Sequence, residues 1–275
     1  MPEPRHLRRR KLMRSGMGPG SAALRALSGM TSYFALRMDT TMADAALKPT
    51  DLTRRSNLYR VTSQLGARWG EVNGFAAPMN YGDTAAETAA ARELAIADLA
   101  ALPRAGYKGW DMATWATGQG LDLPEPNRAR AQADGTLALR LSNGELVLLS
   151  GDDAGSATID KLAGAWTMDG AVCFPVPRSD TNTRFAITGA RVPEMMAKMC
   201  GIDLRPHRFE NHQIAQTSVA RMNAILIRND RGTTYALDMV LDSASAVYMW
   251  ECLSDAMTEF GGRPFGLEAL RALSA

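Results

Sequence analysis

The sequence contains few of the residues that enzymes most often use to bind metals or to attack a substrate. It has three histidines and three cysteines in 275 residues. The cysteines, Cys173, Cys200 and Cys252, are odd in number and far apart, which argues against a disulfide framework and indicates a reducing, cytoplasmic compartment. No apolar run reaches the roughly 18 residues that a membrane span needs, so we expect no membrane association.

The chain has little net charge, and that charge is unevenly distributed. Its formal charge is +2, but residues 1–41 carry eight Lys and Arg against only Glu3 and Asp39. The remaining residues are therefore net acidic. A mildly acidic globular part argues against a nucleic-acid-binding domain.

Glycine-rich nucleotide loops are also missing. Gly16-x-Gly18-x-Gly20 has no strand before it, and the GDDAGS run at 151–156 lacks the lysine that a phosphate-binding loop requires. The sequence therefore predicts no flavin, NAD or ATP site in this chain.

Metal and acid–base sites fail on spacing. His207 and His212 are five residues apart, which places them on neither a common helix face nor a common strand face. The pair Asp152-Asp153 lies in a turn, where we expect both carboxylates to be solvated rather than held in differing environments. We therefore expect no catalytic, cofactor-binding or metal-binding residue here.

Residues 1–52 differ from the rest, because they are rich in Arg, Gly, Ser and Met without sustained periodicity. We interpret them as a disordered basic extension, with Met42 as the true start of translation. The alternatives are a basic arm for an acidic partner and an Arg-rich transit peptide.

The first lobe, residues 53–168, reads as α+β. Thr84 and Glu87 have capping-box spacing ahead of an Ala-rich helix, residues 96–102 form a buried strand, and a second helix spans 111–119. The clearest signal is the alternation of Leu137, Leu139 and Leu141 before Asn143-Gly144, which predicts a β-hairpin whose turn residues have positive φ.

The second lobe, residues 169–275, is predicted to contain an antiparallel sheet with helices on one face. Strands at 172–176 and 184–188 pair, a helix follows at 193–199, and further strands lie at 213–220, 224–228 and 233–241. The last helix, 245–260, has an apolar stripe. The stripe consists of Val247, Trp250, Leu253, Met257 and Phe260.

The segment 197–222 stands out because it concentrates charge without catalytic equipment. Planar guanidinium groups suit the carboxylates of a partner, and we take Arg205, Arg208 and Arg221, with His212, as candidate partner-interface residues. Trp110 is a fifth candidate; Trp110 and Trp115 flank one helix, and we expect them to be divided between interface and core.

Read in order, these segments resemble the gamma subunit of heterotetrameric sarcosine oxidase, a family related to the folate-binding domain of glycine-cleavage T-proteins. The resemblance covers about residues 56–261, through the order and spacing of its motifs rather than any single one. The matching positions are Gly82-Asp83 to Arg92, Pro126-Asn127-Arg128, 141–149, Phe185 to Gly189, 197–209 with Asp203-Leu204-Arg205-Pro206, Ala215, Thr217, Arg221-Met222, Arg228, Ser245-Ala246 and Ala256-Met257.

The resemblance implies a two-lobed aminomethyltransferase-like α+β fold with a ferredoxin-like second lobe. It also implies a non-catalytic role beside the alpha, beta and delta subunits of a complex that oxidatively demethylates sarcosine. In that family the partner subunits carry FAD, FMN, NAD and tetrahydrofolate, and the gamma subunit carries none of them.

Two departures from the T-proteins fit this role. Where they place an acidic Gly-x-x-Asp-Asp run, this chain has 135–140, GTLALR, and where they show Tyr-Glu-Leu it has Tyr235-Ala236-Leu237. The alternatives are a stand-alone tetrahydrofolate-dependent aminomethyl or methyl transferase, and the equivalent subunit of an N-methylglutamate dehydrogenase.

Overall fold

The computed structural model describes residues 47–168 and 170–274, which belong to one compact unit spanning Ala46–Ala275. The predictions for residues 1–46, including Met42 as the start, lie outside the described residues. A 3-10 helix at Pro49–Asp51 lies inside the predicted disordered extension, so the end of that extension is folded.

The unit combines fourteen strands with seven α-helices among the described residues, which confirms the predicted α+β class. The strands are β1 Arg54–Arg55, β2 Arg68–Val72, β3 Phe75–Asn80, β4 Ala95–Asp98, β5 Arg104–Lys108, β6 Arg128–Ala131, β7 Leu137–Ser142, β8 Glu145–Leu149, β9 Phe174–Val176, β10 Asn182–Thr188, β11 Ile214–Val219, β12 Met222–Arg228, β13 Ala236–Asp242 and β14 Arg263–Pro264. The helices are α1 Tyr59–Gln64, α2 Thr84–Glu93, α3 Met112–Gly118, α4 Ala157–Ala165, α5 Val192–Met196, α6 Ala246–Thr258 and α7 Leu267–Ser274.

Three sheets organise these strands. The largest has the order β11-β12-β13-β10-β4-β14, the second β6-β7-β8-β5-β9, and the third β1-β3-β2. Neighbouring strands are antiparallel except for β1 with β3 and β14 with β4. Mainly antiparallel sheets with segregated helices are the predicted architecture.

Strand alternation divides the six-stranded sheet between two cores. Leu237, Met239 and Leu241 of β13 face a core that contains Trp250 and Leu253 of α6. The intervening Val240 instead faces Leu139 and Val147 of the five-stranded sheet. Because successive side chains point to opposite faces, one strand joins the helical layer to the second sheet.

The outer face of the five-stranded sheet is covered by α3 and α4. Ala138, Leu146 and Leu148 pack there against Met112 of α3 and Leu162 of α4. A fourth core lies beside the β10–β4 end of the six-stranded sheet, where α2, α7 and the small sheet pack together. Layers of helix, sheet, sheet and helix result.

The predicted strand pairing across the second lobe is wrong. β9 pairs with β5, and β10 pairs with β13 and β4, so strand pairing crosses the predicted 168/169 boundary in both directions. The buried guanidinium of Arg104 explains why β9 and β10 lie in different sheets. It donates to the carbonyls of Ser179 and Asn182 at 2.7 and 3.0 Å, which fixes the turn that carries the chain from one sheet to the other.

Several local predictions also change. Asp83, not Thr84, caps α2 by accepting the N–H groups of Ala85 and Ala86. The Asn143-Gly144 turn forms without positive φ; glycine is needed because a Cβ at 144 would lie 2.9 Å from the Gly109 carbonyl oxygen. Val247 is 37% exposed rather than part of the buried stripe on α6, and α7 was not predicted.

Candidate functional site: a charged cleft and an exposed apolar patch

A network of two arginines and two aspartates lies in the interior between the two large sheets. Asp238 of β13 accepts hydrogen bonds from Arg184 Nε at 3.0 Å, Asn229 Nδ2 at 2.7 Å and Arg231 Nη1 at 3.2 Å. Arg231 also binds both carboxylate oxygens of Asp152, at 2.8 and 2.9 Å. The network joins strands β10 and β13 to the loop after β8.

The charges of this network compensate each other. Burial alone would raise the pKa of Asp238, but the charges of Arg184 and Arg231 outweigh it and hold that pKa well below its usual range. Burial alone would lower the pKa of Arg231, whereas Asp238 and Asp152 raise it. Asp238 and Arg231 therefore stay ionised near neutral pH.

A cleft of about 740 Å³ opens beside the network. Asp134 lines it, and its pKa lies below the usual value: burial opposes this shift, but the N–H and hydroxyl groups of Thr158 and Thr136 donate to the carboxylate. Arg271 also lines the cleft, and its Nε donates to the Asp152 carbonyl at 3.0 Å. Both side chains are thus held by hydrogen bonds within the chain.

The prediction of two solvated aspartates is half wrong. Asp153 is exposed and accepts the Gly155 N–H. Asp152 instead has a side chain only 12% exposed, and it is ion-paired with buried Arg231. Sequence reasoning missed this pair because its members lie on different elements; the Asp-Asp run and the turn before β13 were the only signals.

Two of the predicted interface arginines are engaged within the chain. Arg205 binds both oxygens of Asp203, at 2.8 and 2.5 Å, and Arg208 approaches the same carboxylate at 3.9 Å. Hydrogen bonding from Arg205 holds the pKa of Asp203 well below its usual range. The guanidinium of Arg205 is therefore already bound to Asp203, and Arg208 is the more available of the two for contact with a partner.

The four predicted positions in the segment 197–222 do not form one site. Arg228, at the end of β12, donates to the carbonyls of Pro206 and Phe209 and accepts the His212 N–H, so Arg205, Arg208 and His212 lie at that end of the β11–β12 hairpin. Arg221 lies in the turn at the other end, about 20 Å away along six residues of strand.

His212 is a poor candidate for a contact that needs charge. Its backbone has φ of 64°, and its carbonyl accepts the Ala129 N–H, which links the β11–β12 hairpin to β6. Burial lowers the pKa of His212, and nearby Asp230 only partly offsets this. The imidazole is therefore neutral at pH 7, and the residue joins the two sheets through its backbone.

The two tryptophans lie in different environments. Trp115 packs against Tyr107 with ring centroids 4.7 Å apart, at the edge of the core under α3. Trp110 is 93% exposed. Its turn is nevertheless held firmly: the Asp111 N–H donates to the Val172 carbonyl, and the Asp111 carboxylate accepts the Val172 N–H at 2.8 Å.

Trp110 belongs to an apolar patch that the sequence did not predict. Val172 and Phe174, expected in a strand paired with 184–188, are each nearly half exposed, and Met168, four residues before Val172 in the sequence, is more exposed still. Gly109 allows the two backbones to touch, because a Cβ there would lie 2.0 Å from the Val172 carbonyl oxygen. The "Trp110 patch" (Trp110, Met168, Val172 and Phe174) is thus presented on a rigid backbone beside edge strand β9. Rigid exposed aromatics are typical of protein interfaces.

Residues 47–168 and 170–274 contain no group of three or more His, Cys, Asp or Glu that could hold a metal ion. Within the same ranges, no helix is both long and apolar enough to cross a membrane. All three cysteines are free thiols, and Cys173 and Cys200 are buried.

Comparison with known proteins gives a fold. No protein-family model matches the chain, and no curated protein matches its sequence. The structure is similar to the glycine cleavage system aminomethyltransferase T of Bartonella henselae, with a TM-score of 0.66, 17% identity and 80% of this chain covered; the match spans only 62% of that enzyme's length. It is also similar to a chain of the heterotetrameric sarcosine oxidase of Corynebacterium sp. U-96, with a TM-score of 0.53 and 22% identity, covering 64% of this chain and 92% of that chain. The chain therefore has the fold of these two proteins, as its sequence motifs implied.

Proposed function

We propose that this chain is a non-catalytic subunit of a sarcosine-oxidase-type complex, in the position of the gamma subunit. One observation carries the proposal: the structural match covers 92% of the sarcosine oxidase chain but only 62% of the aminomethyltransferase. The match to nearly all of a chain from a heterotetramer supports a role inside an assembly.

The charged cleft supports the same proposal. Its central carboxylates are both ion-paired, Asp152 with Arg231, and Asp238 with Arg184 and Arg231. At the position of the T-protein Tyr-Glu-Leu, Ala236 is buried in β13 and has no carboxylate. The ion-pair network thus stabilises the fold, and in this proposal it supplies no group that transfers a proton in the cleft.

The proposed partners are the alpha, beta and delta subunits, which would carry FAD, FMN, NAD and tetrahydrofolate in a cytoplasmic complex. The Trp110 patch is the proposed contact, since a rigid aromatic surface contributes more to binding than isolated charged residues do. Arg208 and Arg221 remain peripheral contacts in this proposal. N-methylglutamate dehydrogenase is an equally suitable complex, because another subunit selects the substrate.

Copurification tests the proposal. The full chain, tagged and coexpressed with its genomic neighbours, should retain flavin-containing proteins, whereas the same neighbours expressed with an unrelated tagged protein should not be retained. A tagged chain that never retains a flavoprotein contradicts the proposal.

A stand-alone folate-dependent transferase is the second candidate, favoured by the higher TM-score of the aminomethyltransferase and by the size of the cleft. Calorimetric titration of the isolated chain with tetrahydrofolate separates the two. The subunit proposal predicts no saturable binding; tight binding would favour the transferase.

A further inference from the structure

A cluster of arginine and tyrosine side chains lies on the side of the molecule where β1 leads into α1. A shallow cleft of about 520 Å³ is lined there by the loop before α1, by α1 itself and by the start of α6. Its polar floor is organised by the hydrogen bond from Asn57 Nδ2 to the Ser243 carbonyl, 2.8 Å long. Val247 of α6 forms an apolar wall.

Two arginines of this cleft share one aromatic ring. The guanidinium carbon atoms of Arg55 and Arg60 lie 5.0 and 5.4 Å from the centre of the Tyr59 ring. Arg60 Nε also donates to the Tyr59 hydroxyl at 2.8 Å, and Arg55 Nη1 donates to the Leu52 carbonyl at 3.0 Å. Both cations are thus positioned by stacking and hydrogen bonds, and each has further N–H groups that can donate to a ligand.

Neither arginine has a carboxylate partner in the part of the chain that the structure describes. Adjacent Arg54, by contrast, binds Asp180 at 3.0 Å, and exposed Arg128 and Arg205 are likewise paired. Two neighbouring cations without a counter-charge attract an anion from outside the chain, and planar guanidinium groups match carboxylates well.

The surface extends along α6 towards a third arginine. Tyr248, 47% exposed and next to Val247, donates its hydroxyl to the Ala220 carbonyl at 3.0 Å. Ala220 and Arg221 form a tight turn with φ of 46° and 67°, a conformation that non-glycine residues seldom adopt. Arg221 has no ion-pair partner within residues 47–168 and 170–274. Tyrosine and arginine are enriched where proteins bind each other.

We propose that Arg55, Tyr59 and Arg60, together with Val247, Tyr248 and Arg221, dock an acidic segment of a partner protein. Charge complementarity identifies the occupant: three guanidinium groups without an ion-pair partner among residues 47–168 and 170–274, together with two tyrosines, suit Asp and Glu side chains beside an apolar residue. The chain's own segment 1–41 is net basic by sequence, so its charge does not complement three arginines. Only the identification of this partner as another subunit rests on the proposed function.

A peptide probe tests the docking surface without the complex. Binding of a fluorescent Glu-rich peptide containing one Leu is measured by anisotropy on the full chain at physiological salt, beside a Lys-rich peptide of equal length. R55A/R60A should weaken binding of the acidic peptide by about tenfold or more. The control R68A/R92A removes two exposed arginines elsewhere and should change it by about twofold or less, because distant surface charges are screened.

The binding site of the acidic peptide is located by attaching a photo-crosslinker to it and identifying the crosslinked residues by mass spectrometry. Crosslinks to residues 53–60 and 243–248 are expected. Equal weakening in both double variants, crosslinks confined to residues 1–41, or equal binding of the Lys-rich peptide would each overturn the proposal. Complete competition by free glutarate at the peptide's own concentration would also overturn it, since it would indicate a small-molecule site. Loss of copurifying flavoproteins with intact peptide binding would contradict only the proposed function.

Discussion

Asp152 and Arg231 form a bidentate ion pair between the loop after β8 and the turn before β13, although 79 residues separate them. The Arg231 side chain is only 3% exposed, and Asp152 is one of the two carboxylates that compensate its charge. Ser274 of α7 donates to the same carboxylate at 3.0 Å, so one side chain also ties the last helix to the two sheets.

Asp152→Ala should therefore be strongly destabilising. It leaves a buried guanidinium with half of its counter-charge, and we expect the free energy of unfolding to fall by about 3 kcal/mol. Urea denaturation measures the change. Asp153→Ala, at the exposed neighbouring position, is the matched control and should cost well under about 1 kcal/mol; equal losses in the two variants would contradict the ion-pair account.

Acid should destabilise the fold through Asp238. Its native pKa is depressed by Arg184 and Arg231 below the unfolded value of about 3.9, so unfolding takes up a proton. The resulting stability is complete above the unfolded pKa and is lost as pH falls towards the native pKa. The free energy of unfolding should thus decline from about pH 5 downwards. Asp238→Asn should be less stable at pH 7 but show a shallower decline; a decline parallel to that of wild type would refute the assignment.

Two glycine substitutions should have opposite effects on the stability of the fold. A Cβ at Gly266 would lie 2.0 Å from the Met79 carbonyl oxygen, and Gly266 also donates its N–H to buried Glu87 at 2.8 Å. Gly266→Ala should therefore lower the melting temperature. Gly164 lies inside α4, and an added Cβ would meet no other part of the described chain within 4 Å beyond its neighbours and its own helix, so Gly164→Ala should stabilise by about 0.5–1 kcal/mol. Differential scanning calorimetry of both variants checks the pair, and destabilisation by both would contradict this packing.

The Trp110 patch should carry much of the affinity for a partner. Trp110→Ala with Phe174→Ala should weaken retention of flavoproteins by about 2 kcal/mol or more, measured by titrating the tagged chain against its partners. Leu65→Ala with Ile202→Ala removes exposed apolar side chains outside the patch and should leave retention unchanged. Circular dichroism should show both variants folded. Equal effects of the two double variants would show that the patch is not the contact.

Periodicity in the sequence predicted the elements whose burial pattern is local. The β7–β8 hairpin and the Trp250, Leu253 and Met257 face of α6 are examples, since alternation and helical spacing reveal which side is buried. The predicted class and family resemblance agree with the observed fold.

Features that depend on distant contacts were not predictable in the same way. The sheet that β9 joins is determined by the hydrogen-bonded Val172 backbone and by Arg104. Neither contact can be recognised from the local pattern of apolar residues. The Asp152–Arg231 pair likewise depends on two turns meeting across the sheets. Exposure of Trp110 follows from the close backbone contact at Gly109, which a single sequence does not reveal.

Size-exclusion chromatography with absolute mass detection, applied to the tagged chain coexpressed with its genomic neighbours, tests the central claim most directly. The subunit account predicts that the chain elutes with flavin absorbance at a mass well above its own 29.7 kDa. Elution of the chain alone, at its monomer mass and without flavin, would contradict it.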